Sequence, residues 1–313
     1  MRKAVVTTIP KKGKKILLKN ERGIFIVSCV RSILMRLIYN LKSQTLDAHM
    51  SDSNVGGRKN KSGINHIWVM QSIIHHTLSS VRKNPIIVQQ YDYRQMFDGM
   101  DAEEACGDLY DYGVNDDHLD LIYKANKDIV INVQTPHGLS KSYELTNRTM
   151  QGDTWACAMA SAEIDSFGKE MLAEKPSFMY HYMGVVPIPL LGQVDDLIGV
   201  AEAGHKTKQL NSFVNVKTAD KNLQFGPEKC KTMIVSKRKV LGFQKPELEV
   251  DEWKLEHELN GNLKEKYIGK MKIENENTLV YFGHVLSQDG RNIENILHKR
   301  NKSLGTIKQI PTL

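Results

Sequence analysis

Three carboxylates in two separate stretches of the chain have the residue types of a metal-dependent active site. Asp195 and Asp196 are adjacent within Leu190–Val200, a stretch that is otherwise mostly apolar. Asp92 ends the β-branched run Ile86–Tyr91, which is typical of a buried strand. Like charges at such spacing repel strongly in a low dielectric, and a bound cation is the usual compensation. Hard carboxylate oxygens without neighbouring Cys or His favour Mg²⁺ over zinc.

Short strands are predicted to position these carboxylates. Strands over 185–192 and 197–200 would place Asp195 and Asp196 in the tight turn of a buried hairpin. An ordinary Asp-Asp turn is the alternative, because Asp is a favoured turn residue. A carboxylate that ends the strand over 86–91 can meet a hairpin-turn carboxylate on a neighbouring strand, which is the oxygen cluster that a two-metal site requires. Asp92 therefore favours the metal-binding interpretation.

Apolar periodicity predicts the remaining elements. The predicted helices cover 30–46, 64–81, 101–113, 117–126, 154–172, 205–223 and 293–307. Strands are predicted over 129–133, 142–145 and 231–235. Residues 244–279 are polar and are predicted to form an insertion of strands and loops.

Five short motifs follow one another in an order that resembles one protein family. They are Asp92-x4-Phe97-Asp98, Met150-Gln151-Gly152-Asp153, Gln193-Val194-Asp195-Asp196, Leu223-Gln224-Phe225-Gly226-Pro227-Glu228-Lys229 and Tyr281-Phe282-Gly283. They are similar, in that order, to motifs A, B, C, D and E of reverse transcriptases, and in particular to those of non-LTR retrotransposons. The resemblance covers most of residues 8–304.

The resemblance implies an α+β fold with the fingers and palm of a right-hand polymerase, an antiparallel palm sheet and a thumb that is largely missing. The implied domains are fingers over 1–83, a palm with motifs A to D over 84–243, an insertion with a primer-grip-like motif E over 244–290, and the start of a thumb over 291–313. Part of 113–150 could return to the fingers. The implied reaction is template-directed DNA synthesis from RNA, as part of a retroelement.

The resemblance also assigns catalytic and metal-binding roles. Asp92 and Asp195 would hold two Mg²⁺ ions, for which Mn²⁺ could substitute. The backbone carbonyl of Tyr93 would add a ligand, and Asp196 would support the site. Lys229 would act as a general acid toward the leaving pyrophosphate, although a surface lysine is the open alternative.

Nucleotide binding is assigned to a second group of residues: Lys11, Arg22, Phe97, Gln151 and Gly152. Lys11 and Arg22 would contact the triphosphate, and generic surface charge is their alternative. Phe97 would exclude ribose by collision with its 2′-hydroxyl, unless it only packs into the core. Gly152 would permit the close backbone approach that a template base or nucleotide needs.

Two departures from the family pattern leave rival interpretations open. Gln193 stands where the family usually has an aromatic residue, and Asp153 and Thr154 stand where it usually has Ser-Pro. A catalytically inert nucleic-acid-binding remnant is therefore one alternative, although the three aspartates argue against it. A reverse transcriptase of the group II intron type is the other, and the pairing of Phe97 with Asp98 leans away from it, as does the absence of a maturase extension.

Charge is unevenly distributed along the 313 residues, whose formal net charge is +7. Residues 1–22 carry eight Lys or Arg against one acid, 92–120 carry ten acids against Arg94 alone, and 205–240 are basic again. A basic rim around an acidic centre fits a nucleic-acid polymerase, and solvated charge runs on unrelated faces are the alternative. The partners that the resemblance implies are an RNA template, a DNA primer, deoxynucleoside triphosphates and other domains of the retroelement protein.

The four cysteines lack Cys-x2-Cys spacing, so the sequence predicts neither a zinc site nor a disulfide framework, and a reducing compartment is favoured. The first residues lack the apolar core of a signal peptide, and no apolar run approaches the roughly 20 residues that span a bilayer. We therefore expect an intracellular protein without a membrane partner, in the nucleus or cytoplasm as a ribonucleoprotein.

Overall fold

The computed structural model describes residues 3–10, 21–79, 84–237, 248–257 and 263–307. Its helices are α1 (Cys29–His49), α2 (Gly63–Ser79), α3 (Met96–Gly99), α4 (Ala102–Asp111), α5 (Asp116–Asn126), α6 (Ala156–Glu174), α7 (His205–Asp220) and α8 (Ile293–Ile307). Its strands are β1 (Lys3–Pro10), β2 (Glu21–Val27), β3 (Ile86–Asp92), β4 (Lys127–Thr135), β5 (Gly138–Leu139), β6 (Tyr143–Asn147), β7 (Tyr180–Tyr182), β8 (Val186–Ile188), β9 (Leu191–Gln193), β10 (Asp196–Glu202), β11 (Lys231–Val235), β12 (Glu249–His257), β13 (Leu263–Lys272), β14 (Glu274–Glu276), β15 (Thr278–Tyr281) and β16 (His284–Ser287). Helices and mostly antiparallel sheets confirm the predicted α+β class.

The sheet that carries the three aspartates has the strand order β14-β11-β3-β10-β9. β3 lies at its centre and runs antiparallel to both β10 and β11. Ile86, Ile87 and Val88 of β3 are buried, as expected of a β-branched run with packed elements on both faces. Because a central strand is hydrogen-bonded on both sides, the end of β3 at Asp92 is held in a defined position.

A second sheet contains the first two strands of the chain. Its strand order is β2-β1-β4-β5, and a fifth strand, β6, also pairs with β4. β1 runs antiparallel to β2 and parallel to β4, with Lys3 opposite Val130. The strands that follow α5 therefore return to the sheet formed by the first strands. The boundaries of fingers, palm and thumb stay predictions.

Helix α6 packs beneath the β9–β10 hairpin. Twelve of its 19 residues are buried, which is expected of a helix that is apolar around most of its circumference. Gly192 of β9 permits the close packing, because a Cβ there would lie 2.7 Å from Cγ2 of Ile164. Neither α6 nor any other helix in the described part of the chain is long and apolar enough to cross a bilayer.

The predicted helices are present with ends that differ by a few residues, and the predicted bounds of α8 and β11 coincide with the observed ones. Two local predictions were wrong. The strand predicted over 185–192 is divided into β8, which pairs with β7, and β9, which pairs with β10. In addition, Asp195 and Asp196 do not both lie in the hairpin turn. The turn consists of Val194 and Asp195, and Asp196 is the first residue of β10. The ladder extends to this position because Asp196 pairs with Gln193 on one side and with Asp92 on the other.

Candidate active site

Asp92 and Asp196 are neighbours across the central sheet, because they are paired in the register of β3 and β10. Asp195 precedes Asp196 in the two-residue turn that joins β9 to β10. Val194 in this turn has a φ of 56°, the left-handed conformation common in two-residue hairpin loops. The register therefore brings to one end of the sheet the three carboxylates that the sequence indicated.

Lys229 joins these carboxylates from the loop between α7 and β11. Its Nζ lies 2.6 Å from Oδ1 of Asp92. Backbone bonds fix this loop to the end of β3, since the Gly226 N–H donates to the Asp92 carbonyl (2.8 Å) and the Arg94 N–H donates to the Gln224 carbonyl (2.7 Å). The Lys229 side chain is 56% exposed, so its ammonium group remains accessible to an anionic ligand.

The protein environment disfavours the charged forms of two of the aspartates. Burial raises the pKa of Asp92, and repulsion from Asp195 adds to this effect, whereas the hydrogen bond from Lys229 opposes it. Burial raises the pKa of Asp196 to about 6, with further repulsion from Asp195 and Asp92. Clustered carboxylates of this kind gain stability from a bound cation, because the cation offsets both burial and repulsion.

The loop before α6 places Gln151 and Gly152 against β2. The Phe25 N–H donates to the Gln151 carbonyl at 3.0 Å. Gly152 has a φ of 108°, and a Cβ there would lie 3.1 Å from the Phe25 carbonyl oxygen. The sequence explained this glycine by the room that a nucleotide or template base needs. That explanation is incomplete, because the backbone conformation and the close approach of β2 already require glycine here.

Most of the chain, residues 9–245, matches the family described as "Reverse transcriptase (RNA-dependent DNA polymerase)". The chain belongs to this family. The family to which the sequence motifs pointed is confirmed, whereas the non-LTR type stays a prediction. No curated protein matches the chain.

Solved telomerase structures from two Candida species share the fold. Apo telomerase from Candida tropicalis matches with a TM-score of 0.59 at 11% identity, over 92% of this chain and 48% of that chain. A form of it truncated from the C-terminal domain matches with a TM-score of 0.55 at 11% identity, over 85% and 55%. Telomerase from Candida albicans in complex with a TWJ fragment of telomeric RNA gives 0.51 at 11% identity, over 84% and 45%. This chain thus spans about half the length of the telomerases it matches, and the likeness is one of fold.

The donor chemistry of this reverse transcriptase site fits a hard divalent cation. Within the described ranges, no group of three or more His, Cys, Asp and Glu side chains is arranged to hold a metal ion. Mg²⁺, however, is usually bound through one or two carboxylates together with water and substrate phosphates, rather than by an all-protein cage. Asp92 and Asp195 therefore fit a partial set of Mg²⁺ ligands that a bound nucleotide would complete.

The side chain of Tyr93 has a structural role in the reverse transcriptase. Its ring is 2% exposed and stacks on Phe225, with ring centroids 5.1 Å apart. Its hydroxyl lies 3.3 Å from the Thr218 hydroxyl. The side chain thus anchors the residue after Asp92, and only its backbone carbonyl is available for the predicted role as a metal ligand.

Phe97 lies in the short helix α3, directly after the end of β3. Its ring is partly buried and packs against the main hydrophobic core. Its carbonyl accepts a hydrogen bond from the Thr149 hydroxyl at 2.6 Å, which ties α3 to the segment that carries Gln151. The ring therefore packs against the core with part of its surface exposed, and its role in sugar selection stays a prediction.

A buried ion pair between Arg31 and Asp153 was not predicted from the sequence. Nε and Nη2 of Arg31 lie 3.0 and 2.8 Å from Oδ2 of Asp153, and Arg31 is fully buried. The same guanidinium donates to the Ala125 carbonyl and to the Asn126 side chain. Breaking such a pair typically costs about 3–5 kcal/mol. Asp153, one of the two residues that stand in place of the family's Ser-Pro pair, is thus the structural partner of Arg31. The sequence signal that could have indicated this ion pair is a lone arginine on the buried face of α1.

Two predicted site residues, Arg22 and Lys11, remain to be described, together with Gln193, which departs from the family pattern. Arg22 is exposed on β2, opposite Ile9 of β1. Lys11 lies outside the described residues. Gln193 ends β9 next to the hairpin turn, and its Oε1 is buried without a hydrogen-bond partner in the described part of the chain.

Proposed function

We propose that this chain carries out template-directed DNA synthesis on an RNA template, transferring deoxynucleotides to a primer 3′-hydroxyl. The observation that supports the proposal best is the register of β3 and β10, which pairs Asp92 with Asp196 and sets Asp195 beside them in the turn. Lys229, 2.6 Å from Asp92, completes the candidate site. Membership of the reverse transcriptase family supports the same reaction.

Each charged side chain has a distinct task in the proposed reaction. Asp92 and Asp195, with the Tyr93 carbonyl, would hold two Mg²⁺ ions, or Mn²⁺ in their place. When bound, these ions supply activation of the primer hydroxyl and stabilisation of the leaving pyrophosphate. Asp196 adds negative charge that favours cation binding. The Nζ of Lys229 holds a proton that it can deliver to the leaving pyrophosphate.

Selection of the nucleotide is assigned to residues around this centre. Lys11 and Arg22 would contact the triphosphate, because charge-assisted hydrogen bonds to phosphate suit both side chains. Phe97 would lie beneath the sugar and exclude ribose. Gln151 and Gly152 would line the nucleotide and template site from a loop that β2 holds in place.

We further propose that the chain belongs to a non-LTR retroelement and works inside the cell as a ribonucleoprotein, in the nucleus or cytoplasm. The order and spacing of the five sequence motifs support this origin. Other domains of the retroelement protein would be its covalent partners. The duplex would be an RNA–DNA hybrid, held by its shape and backbone rather than by its base sequence.

The test is primer extension by the purified chain, with an end-labelled DNA primer on an RNA template, deoxynucleotides and Mg²⁺. Asp92→Asn and Asp195→Asn should each reduce extension by at least about 100-fold, as expected for groups that act on charge developing in the reaction. Both variants should keep or slightly raise the melting temperature, because removing one carboxylate relieves repulsion. Asp117→Asn, at an exposed acid of α5, is the control and should retain activity.

Two results would contradict the proposal. Full primer extension by the Asp92→Asn or the Asp195→Asn variant would exclude that aspartate from its assigned catalytic role. A folded wild-type chain that binds the primer–template but makes no product with Mg²⁺ or Mn²⁺ would instead indicate the inert remnant.

A further inference from the structure

An open groove lies between α4, α5 and the end of α7, and none of its residues belongs to the candidate active site. The cavity has a volume of about 870 Å³. Its walls include the apolar or aromatic side chains of Cys106, Tyr110, Leu119 and Tyr123. Tyr110 is 61% exposed, so its ring is accessible at the groove. The groove therefore has the apolar walls of a docking surface.

The rim of the groove is strongly acidic. Seven carboxylates line it: Glu103, Glu104, Asp108, Asp111, Asp116, Asp120 and Asp220. Lysines form ion pairs with three of them, namely Lys221 with Asp108, Lys42 with Asp116 and Lys124 with Asp120. Within the described residues, no lysine or arginine forms an ion pair with the other four. The groove thus keeps a net negative charge in a chain whose net charge is +7.

Two residues of α4 that line the groove have unusual surroundings. Gly107 lies in the middle of α4, where glycine is less favourable than alanine. A Cβ at Gly107 would meet no atom within 4 Å, so no contact inside the protein requires glycine there. Glu104, on the same helix, has a buried Oε2 without a hydrogen-bond partner in the described part of the chain, although Asn222 donates to its Oε1.

The charge and the apolar walls together define the chemistry of the occupant. A negative rim repels phosphates, so nucleic acid is excluded as the ligand. Lysine or arginine side chains would pair with the four carboxylates that lack basic partners. The leucine- and tyrosine-lined walls also offer burial to apolar side chains, which a simple polyamine lacks.

We propose that this acidic groove is a docking site for a basic, amphipathic peptide segment of a partner protein, in which Lys or Arg residues flank one or two large apolar anchors. The anchors lie over Gly107, between Tyr110 and Tyr123, and the basic residues pair with Glu103, Asp111 and Asp220. Such recognition, apolar anchors in a groove with charges at the rim, is common for peptide ligands. The site is independent of the polymerase reaction.

The test measures fluorescence anisotropy of labelled peptides added to the full chain at two salt concentrations. The first peptide places two Leu and one Trp between lysines, the second replaces its lysines with glutamates, and the third replaces its apolar residues with serines. Only the first should saturate at micromolar concentrations, and its binding should weaken with salt because the rim contacts are electrostatic. Spermine serves as an unlabelled competitor and should displace the peptide only at much higher concentration.

Matched substitutions locate the binding. The double variant Glu103→Lys with Asp111→Lys should weaken binding at least tenfold, whereas Asp117→Lys, on an exposed part of α5 that does not line the groove, should not. Gly107→Leu should fill the groove and weaken binding similarly, while Gly107→Ala should raise the melting temperature and largely retain binding. Primer extension and melting temperature serve as controls for folding in every variant.

The proposal is overturned if the first and third peptides bind equally, because the apolar anchors then contribute nothing. It is overturned in favour of a polyamine site if spermine binds as tightly as the first peptide. Concentration-dependent dimerisation of the chain that the double variant abolishes would assign the groove to a second copy instead. Undiminished peptide binding by a folded double variant would place binding elsewhere on the protein.

Discussion

The aspartates of the candidate site differ in how the structure holds them. Asp92 and Asp196 lie in hydrogen-bonded strands, and Asp195 lies in a turn. Asp92 already has a cationic partner in Lys229. In the proposed reaction Asp92 would hold a cation and Lys229 would contact the phosphates, so each of the two side chains has a partner other than the one it has in this structure.

Phe97 provides a test at the scale of one side chain. Phe97→Val should remove the clash with a 2′-hydroxyl, so incorporation of ribonucleotides relative to deoxynucleotides should rise at least tenfold. Steady-state incorporation of each nucleotide opposite one template base measures the ratio. Phe213→Val, at another partly buried ring against the same core, is the control and should lower stability without changing sugar preference. If an active Phe97→Val variant kept the wild-type preference for deoxynucleotides, Phe97 would have only a packing role.

Glu163 is a buried acid that takes no part in the proposed reaction. It lies in α6 with 0% exposure, and neither carboxyl oxygen has a hydrogen-bond partner in the described part of the chain. Burial raises its pKa from 4.5 to about 8, repulsion from Asp108, Glu104 and Asp101 adds to the effect, and Lys221 opposes it. The folded protein therefore holds this proton over a pH range in which the unfolded chain has lost it.

This difference predicts how stability depends on pH. Between pH 4.5 and about 8 the folded state binds the extra proton, so stability should fall as pH rises, with a contribution from Glu163 of up to about 1.4 kcal/mol per pH unit. Glu163→Gln should flatten this slope and raise stability at pH 8, as measured by denaturant unfolding at several pH values. Glu170→Gln, at a more exposed glutamate of the same helix, should keep the slope. An identical slope in Glu163→Gln would show that another group titrates.

At the scale of secondary structure, the contact between β2 and the loop before α6 connects the sheet that contains β2 to the candidate site. The Phe25–Gln151 hydrogen bond and the left-handed Gly152 fix the course of this loop. The Arg31–Asp153 pair fixes the next residues from α1. Two elements that lie far earlier in the sequence, β2 and α1, therefore determine where the motif B segment lies.

Gly152→Ala tests this linkage. The new Cβ would occupy a strained conformation, which costs about 1–3 kcal/mol, and would also press against the Phe25 carbonyl. Primer extension should fall more than the loss of stability explains, because the loop must move away from β2. Gly138→Ala is the matched control, with a similar φ of 114° and no atom within 4 Å of the new Cβ, and it should lower stability alone. Equal extension by the two variants would contradict the linkage.

At the scale of the whole molecule, the structure reduces the number of basic residues free to hold nucleic acid. In the basic segment 205–240, five lysines form ion pairs: Lys206, Lys217, Lys221, Lys229 and Lys231. The ten acids of 92–120 include six of the seven carboxylates that line the acidic groove, so most of this negative charge does not belong to the candidate active site. Phosphate contacts are therefore expected mainly from the basic residues of 1–22.

The salt dependence of template binding tests this expectation. Each phosphate contact contributes roughly 0.7–0.9 to the slope of log affinity against log salt. Replacing Lys12, Lys14, Lys15 and Lys19 with Gln should reduce the slope by about 3, as measured by anisotropy of a labelled primer–template. Replacing the ion-paired Lys206, Lys217 and Lys231 with Gln should change it little. A slope near zero in the wild type would show that the basic segments do not touch nucleic acid.

The sequence by itself determined the features that depend on near neighbours. The β-branched run before Asp92, the apolar periodicity of α8 and the N-cap at Asp101, which accepts from the Glu103 and Glu104 N–H groups, are set by residues a few positions apart. The five motifs likewise lie in short segments, so the family was accessible without a structure. The distribution of charge along the chain was also visible in the sequence, but the sequence did not show which charges pair with each other.

Only the tertiary structure decided how distant segments meet. The pairing of Asp196 with Asp92, the burial of Arg31 against Asp153 and the packing of Phe25 over Gly152 join residues about a hundred or more positions apart. No local propensity encodes such pairings, because strand register and buried partners are selected by which arrangement satisfies the whole core and its polar groups at once. For the same reason, six acids of the run 92–120 came to line one groove only when α4 and α5 packed together beside the end of α7.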